Sequence, residues 1–115
     1  MNAKTLKNLL EMGEEKVLLV DVRETDEASD EPYFEVLPEN YLLIPLAVLS
    51  VLPREELTSK IMSAITRLHW EEKAVRIVTL CRSGRRSEMA CQYFSQLGFS
   101  AESLDGGYGA WMEEG

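Results

Sequence analysis

The sequence predicts an α/β fold: a three-layer sandwich in which a central, mostly parallel sheet has helices on both faces. Three observations predict it. Residues 17–20 are a short, continuous apolar run, the pattern of a strand buried on both faces, and residues 75–80 are a strongly β-branched run. Segments with apolar residues at steps of three and four separate such runs, and strands alternating with helices imply a parallel sheet. The chain has 115 residues, 45% of them hydrophobic, enough for one core, so a single domain over 1–115 is predicted.

Residues 3–12 carry Leu6, Leu9 and Leu10 at helical spacing, and Gly13 supplies a stop. The run 17–20 reads as a buried strand ending in Asp21. Residues 22–40 are acidic, hold Pro32 and Pro38, and read as a long loop. Residues 41–44 form a second buried strand closed by Pro45. Pro53 fits the first turn of a helix over 53–69, with Leu57, Ile61, Ile65 and Leu68 on one face. The β-branched run 75–80 is a strand that leads directly into Cys81. Residues 87–97 read as a helix with Ala90, Cys91, Phe94 and Leu97 inward, ended by Gly98. A last short strand over 101–104, a turn at Gly106 and Gly107, and a helical piece over 108–114 complete the chain.

Composition excludes several classes. Net charge is −8, which disfavours nucleic acid or an anionic membrane as a partner. Two cysteines and one histidine are too few for a four-ligand zinc site, and no Cys-x-x-Cys pair is present. No signal-peptide-like run opens the chain, and no stretch approaches the roughly 18 apolar residues that span a bilayer. These features predict a cytoplasmic protein with no metal or organic cofactor.

The chemistry concentrates in Cys81-Arg82-Ser83-Gly84-Arg85-Arg86-Ser87, between a strand and a helix. Ligands of parallel sheets bind beyond the carboxyl ends of strands, where Cys81 falls. A helix N-terminus offers unpaired N–H groups and the positive end of a dipole. Gly84 lets the loop curl so that successive amides converge on an anion. Arg82, Arg85 and Arg86 add positive potential and forked donors, favouring a small anionic substrate, and sequence leaves the three unranked. Each feature favours a cysteine thiolate, a nucleophile that needs no histidine base. Cys81 is thus the candidate catalytic residue, and the loop residues 82–87 are the candidate binding residues.

The segment 75–111 resembles the C-terminal half of rhodanese-type domains. Those join a strand, a Cys-Arg-x-Gly-x-Arg-Ser loop, a helix ending in Leu-Gly-Phe and a Leu-x-Gly-Gly-x-x-x-Trp motif. The matching residues are Cys81 to Ser87, Leu97-Gly98-Phe99, and Leu104-Asp105-Gly106-Gly107 with Trp111. Asp21-Val22-Arg23-Glu24, with Glu27, resembles the family's earlier signature, and Ile44-Pro45-Leu46 the segment before its central helix. Val36-Leu37-Pro38-Glu39-Asn40 departs from the family's His-Ile-Pro-Gly-Ala. The resemblance implies a sulfurtransferase that carries sulfane sulfur as a persulfide on Cys81. It implies an anionic donor such as thiosulfate or a persulfide, and a thiol, dithiol (free or on a protein) or cyanide acceptor. It places Asp21 and Arg23 in a supporting role.

Other readings predict different residues. A cysteine phosphatase or arsenate reductase places Arg six positions after Cys, where Ser87 stands, and no aspartate announces itself as general acid. A docking or regulatory module would use the fold without turnover. A purely structural domain leaves the arginines beside Cys81 unexplained. Cys91 reads as a buried, inert thiol, its alternative being a disulfide partner for Cys81. His69 reads as an exposed helix-end residue, Trp70 as a cap on the core edge, and Trp111 as packing for the terminal helix. The acidic run 26–35 reads as a solvated loop, its alternative being a docking surface for a basic partner.

Overall fold

A computed structural model describes residues 1–114; Gly115, the last residue of the predicted domain span, lies outside the described residues. In chain order the elements are α1 (Ala3–Met12), β1 (Lys16–Asp21), α2 (Thr25–Asp30), β2 (Tyr41–Leu43), α3 (Leu46–Leu49), α4 (Arg54–Arg67), β3 (Val75–Leu80), α5 (Arg85–Gln96), β4 (Ser100–Ser103) and α6 (Gly107–Glu114). A single 3-10 turn, Glu72–Ala74, leads into β3.

The four strands form one sheet in the order β2-β1-β3-β4, and every pairing is parallel. The predicted α/β class and three layers are therefore present. Alternate side chains of each strand point to opposite faces. Leu18, Val20 and Ile77 pack with Leu57, Ile61, Ile65 and Phe94 under α4 and α5. Val17, Leu19, Val78 and Leu80 pack with Leu6 and Trp111 under α1 and α6. Burial on both faces explains why β1 holds an unbroken apolar run, Val17 to Val20, rather than an alternating one.

The strand order positions the site. From β1 the chain crosses outward to β2, then returns to the other side of β1 for β3. The carboxyl ends of β1 and β3, where Asp21 pairs with Leu80, thus border the crevice at which such sheets bind ligands. Cys81 follows Leu80 directly.

Helix ends follow local chemistry. The Asn2 side chain accepts from the Thr5 amide at 2.8 Å to cap α1, and Gly13 closes it with φ 68°. Past α4, exposed His69 takes φ 58° as its amide reaches the Thr66 carbonyl at 3.0 Å. Trp70 packs on the core edge and Trp111 on the body, as predicted. Among the described residues, no helix is long and apolar enough to cross a membrane.

Three expectations are corrected. Residues 22–40 are not one long loop, because α2 forms at 25–30. None of its residues is buried, so no apolar period announced it. It is supported instead by acidic residues in its first turn and by ion pairs to the Cys81 loop. Second, α5 begins at Arg85 rather than residue 87, so two of the three arginines belong to its first turn. Third, Cys91 is half-buried rather than buried, and its thiol donates to the Glu88 carbonyl at 3.1 Å. Burial, and then the Glu88 charge, push that thiol's pKa up.

Candidate active site

The site is assembled at the junction of β3 and α5. Gly84 is the N-cap of α5 with φ 98°, a conformation that disfavours any side chain. That turn aims the Gly84 amide back at Cys81, and its N–H donates to Sγ at 2.9 Å. The first backbone bond within the helix runs from the Glu88 amide to the Gly84 carbonyl, at 3.1 Å. The amides of Arg85, Arg86 and Ser87 are therefore first-turn donors with no acceptor inside the helix. Cys81 itself is fully buried.

Behind the sulfur lies a chain of hydroxyls. Ser87 Oγ is 3.4 Å from Sγ, donates to the Gly84 carbonyl at 3.0 Å, and sits 2.6 Å from Ser103 Oγ. Thr79 Oγ1 donates to the Ser87 carbonyl at 2.7 Å. Ser87 thus faces the interior beside the thiol, whereas Ser83 is exposed on the loop.

The Cys81 backbone is pinned as firmly. Its carbonyl accepts from the Tyr33 hydroxyl and from the Tyr108 amide, the latter at 3.1 Å. The double glycine permits this approach. A Cβ on Gly107 would lie 2.5 Å from the Arg82 carbonyl oxygen and 2.8 Å from the Ser83 nitrogen. Burial raises the Tyr33 hydroxyl well above the usual tyrosine range, so it remains a proton donor to that carbonyl.

Asp21 and Arg23 are both buried and bonded to each other: Nη2 to Oδ2 at 2.7 Å and Nε to Oδ1 at 3.0 Å. Tyr41 donates to Asp21 Oδ2 at 2.6 Å. Arg23 also donates to the Glu31 carbonyl at 2.5 Å and lies 4.8 Å from the centre of the Tyr33 ring. Burial opposes its charge, but the hydrogen bonds and charge of Asp21 outweigh that and raise its pKa. This pair braces Tyr33 and Glu31, with Tyr33 as the link to Cys81.

The three loop arginines differ. Arg86 is held by both Glu27 oxygens, at 2.6 and 2.7 Å. The hydrogen bonds of Arg86 are the largest cause that brings the Glu27 carboxyl down to about 2. Arg82 meets Glu31 at 3.4 Å and is 65% exposed. Arg85 is exposed and has no ion-pair partner among the described residues. The acidic run is therefore not merely solvated: two of its carboxylates face the loop. Sequence reasoning set Glu27 beside the earlier signature but not opposite Arg86, and it missed Glu31, Tyr33 and Ser103. Their partners are far away in sequence, so spacing held no signal for them.

The family model described as "Rhodanese-like domain" matches residues 2–114. A Bacillus subtilis protein named "Putative sulfurtransferase YtwF" is 29% identical over 114 residues, covering 99% of this chain and 90% of that protein. Among solved structures, a rhodanese-related protein from Thermoplasma volcanium is 27% identical with a TM-score of 0.67, covering 100% of this chain and 91% of the other. A human single-domain sulfurtransferase, 24% identical, shares the fold with a TM-score of 0.68 over 100% of this chain and 96% of its own. A parallel four-stranded sheet, a cysteine loop capped by glycine, and a family match over nearly every residue agree: the chain belongs to the rhodanese-like domain family.

Proposed function

We propose that this protein is a sulfurtransferase that carries sulfane sulfur as a persulfide on Cys81. The observation that carries the reading is the Gly84 amide, 2.9 Å from Sγ at the N-terminal end of α5. A backbone donor fixed there stabilises negative charge on sulfur without any reorganisation, in the thiolate and again in the persulfide anion. The open amides of the first turn of α5 extend the same field to the outer sulfur atom. Family membership and the name of the Bacillus subtilis relative support the same reading.

The reaction is a double displacement. The Cys81 thiolate attacks the outer sulfur of the donor, the donor's S–S bond breaks, and its remainder leaves with the bonding pair. A thiol or dithiol (free or on a protein), or cyanide, then takes the outer sulfur and regenerates the thiolate. Asp21 and Arg23 act as positioning residues through Tyr33. Because Cys81 is buried, a donor reaches Sγ only through a local opening of the surrounding side chains.

Intact mass tests the reading. Incubation with thiosulfate or a small persulfide should add one sulfur, about 32 Da, removable by a dithiol. Cys81→Ser should gain none. If wild type takes up sulfur from neither donor, the sulfurtransferase reading fails.

A further inference from the structure

A loop with three arginines suggests a site built for a multiply charged anion, and the charge count at the site says otherwise. Arg86 is matched by Glu27 in a bidentate pair, and Arg82 by Glu31 at 3.4 Å. Glu31 is held in place: buried Arg23 donates to its backbone carbonyl at 2.5 Å, which fixes where its side chain starts. Arg85 is then the one loop guanidinium without a carboxylate partner among the described residues.

The two donor classes make very different demands. When a Cys81 thiolate attacks thiosulfate, the reacting pair carries a charge of −3. The S–S bond breaks, sulfite leaves as a dianion, and the persulfide keeps the remaining −1. When Cys81 reacts with an alkyl persulfide, the pair shares one proton and carries −1. The S–S bond breaks, the alkyl sulfur leaves with the bonding pair and takes the shared proton as a thiol, and the persulfide anion stays on Cys81. One unmatched guanidinium and the dipole end of α5 suit the second demand and fall well short of the first.

We propose that Glu31, by occupying Arg82, sets the donor preference of this site toward alkyl persulfides and against thiosulfate. The inference rests on the sulfurtransferase reading above. Glu31 is a specificity-determining residue because its carboxylate both repels a dianion and holds the guanidinium that would receive it. The Arg82–Glu31 contact is partly exposed on both sides (65% and 40%), so removing one charge frees the other without unfolding the loop.

The test compares steady-state kcat/KM for thiosulfate and for hydroxyethyl persulfide, with the same thiol acceptor at low ionic strength. Wild type, Glu31→Gln and Glu72→Gln are measured. Glu72 is an exposed acid in the turn before β3, at the opposite end of the sheet, and controls for net charge. Wild type should prefer the persulfide. Glu31→Gln should raise kcat/KM for thiosulfate about fivefold, mainly through KM, and change the persulfide value less than about twofold. Glu72→Gln should leave the ratio of the two donors unchanged. The proposal is overturned if wild type prefers thiosulfate, if Glu31→Gln leaves the donor ratio unchanged, or if Glu72→Gln shifts it equally. In each of those cases Cys81 still loads sulfur, so the sulfurtransferase reading stands. Failure of both donors to load Cys81 by mass removes both.

Discussion

Glu27 has two tasks at one carboxylate. It accepts from the Glu24 amide at 3.1 Å, closing the first turn of α2, and it grips Arg86 through both oxygens. Its folded pKa of about 2 lies below the ordinary 4.5, so its contribution to stability is present above about pH 4.5 and fades as pH falls toward 2. Solvent at the rim of the pair holds that contribution to about 1 kcal/mol. Glu27→Gln, which can still close the turn, should lose about this much at pH 7 and nothing near pH 2; urea unfolding at the two pH values measures the difference. The buried pair is a larger matter. Asp21→Asn leaves the Arg23 guanidinium without its counter-charge in the interior and should cost about 3–5 kcal/mol in the same assay. Cys91 is a third case. Its thiol lies at a half-buried position bonded to Glu88, so Cys91→Ser should load sulfur on Cys81 as wild type does, read by intact mass.

At the scale of elements, the cysteine loop is shaped from outside. α5 supplies donors, but the turn into α6 sets where the loop lies. Gly107 has φ 59°, and its missing side chain is the space that the Arg82 carbonyl fills. Gly107→Ala therefore forces the loop backbone to move. A displacement near 1 Å at a reacting atom costs on the order of a hundredfold in rate. Gly107→Ala should thus lower kcat/KM for any sulfur donor by about that factor, read in the acceptor-coupled assay. Gly13→Ala is the comparison: it also sits at positive φ but meets nothing within 4 Å, so it should cost stability alone. The helix α2 works in the same external way, reaching the loop through Glu27 and through Glu31 just past its end.

The whole molecule carries a net charge of −8, so a dianionic donor approaches against a repulsive field. Salt screens such a field within about 8–10 Å at physiological ionic strength. For wild type, kcat/KM with thiosulfate should therefore rise between about 20 and 200 mM salt, while the value for an alkyl persulfide, at most a monoanion, should rise less. A fall with thiosulfate would mean that the loop arginines, not the net charge, govern encounter.

Sequence alone determined the fold class and the nucleophile candidate. The apolar run of β1 and the β-branched run of β3 are properties of consecutive residues, and so are the glycine and arginines that follow Cys81. Local chemistry of that kind is legible along the chain: strand burial, helix stops at Gly13 and Gly98, and an amide-rich turn at Gly84. The motif fixed the loop's residues, yet the start of α5 fell two residues earlier than the apolar period suggested. Only the tertiary structure decided what the loop faces. The ion pairs Glu27–Arg86 and Glu31–Arg82, the Tyr33 hydroxyl on the Cys81 carbonyl and the Ser103–Ser87 contact join residues from 16 to 59 positions apart. Folding the chain brings those partners together, and no spacing along it encodes their match. The physical reason is that charge balance is a sum over neighbours in space, so three arginines read in sequence became one unmatched guanidinium among the described residues once α2 lay against them.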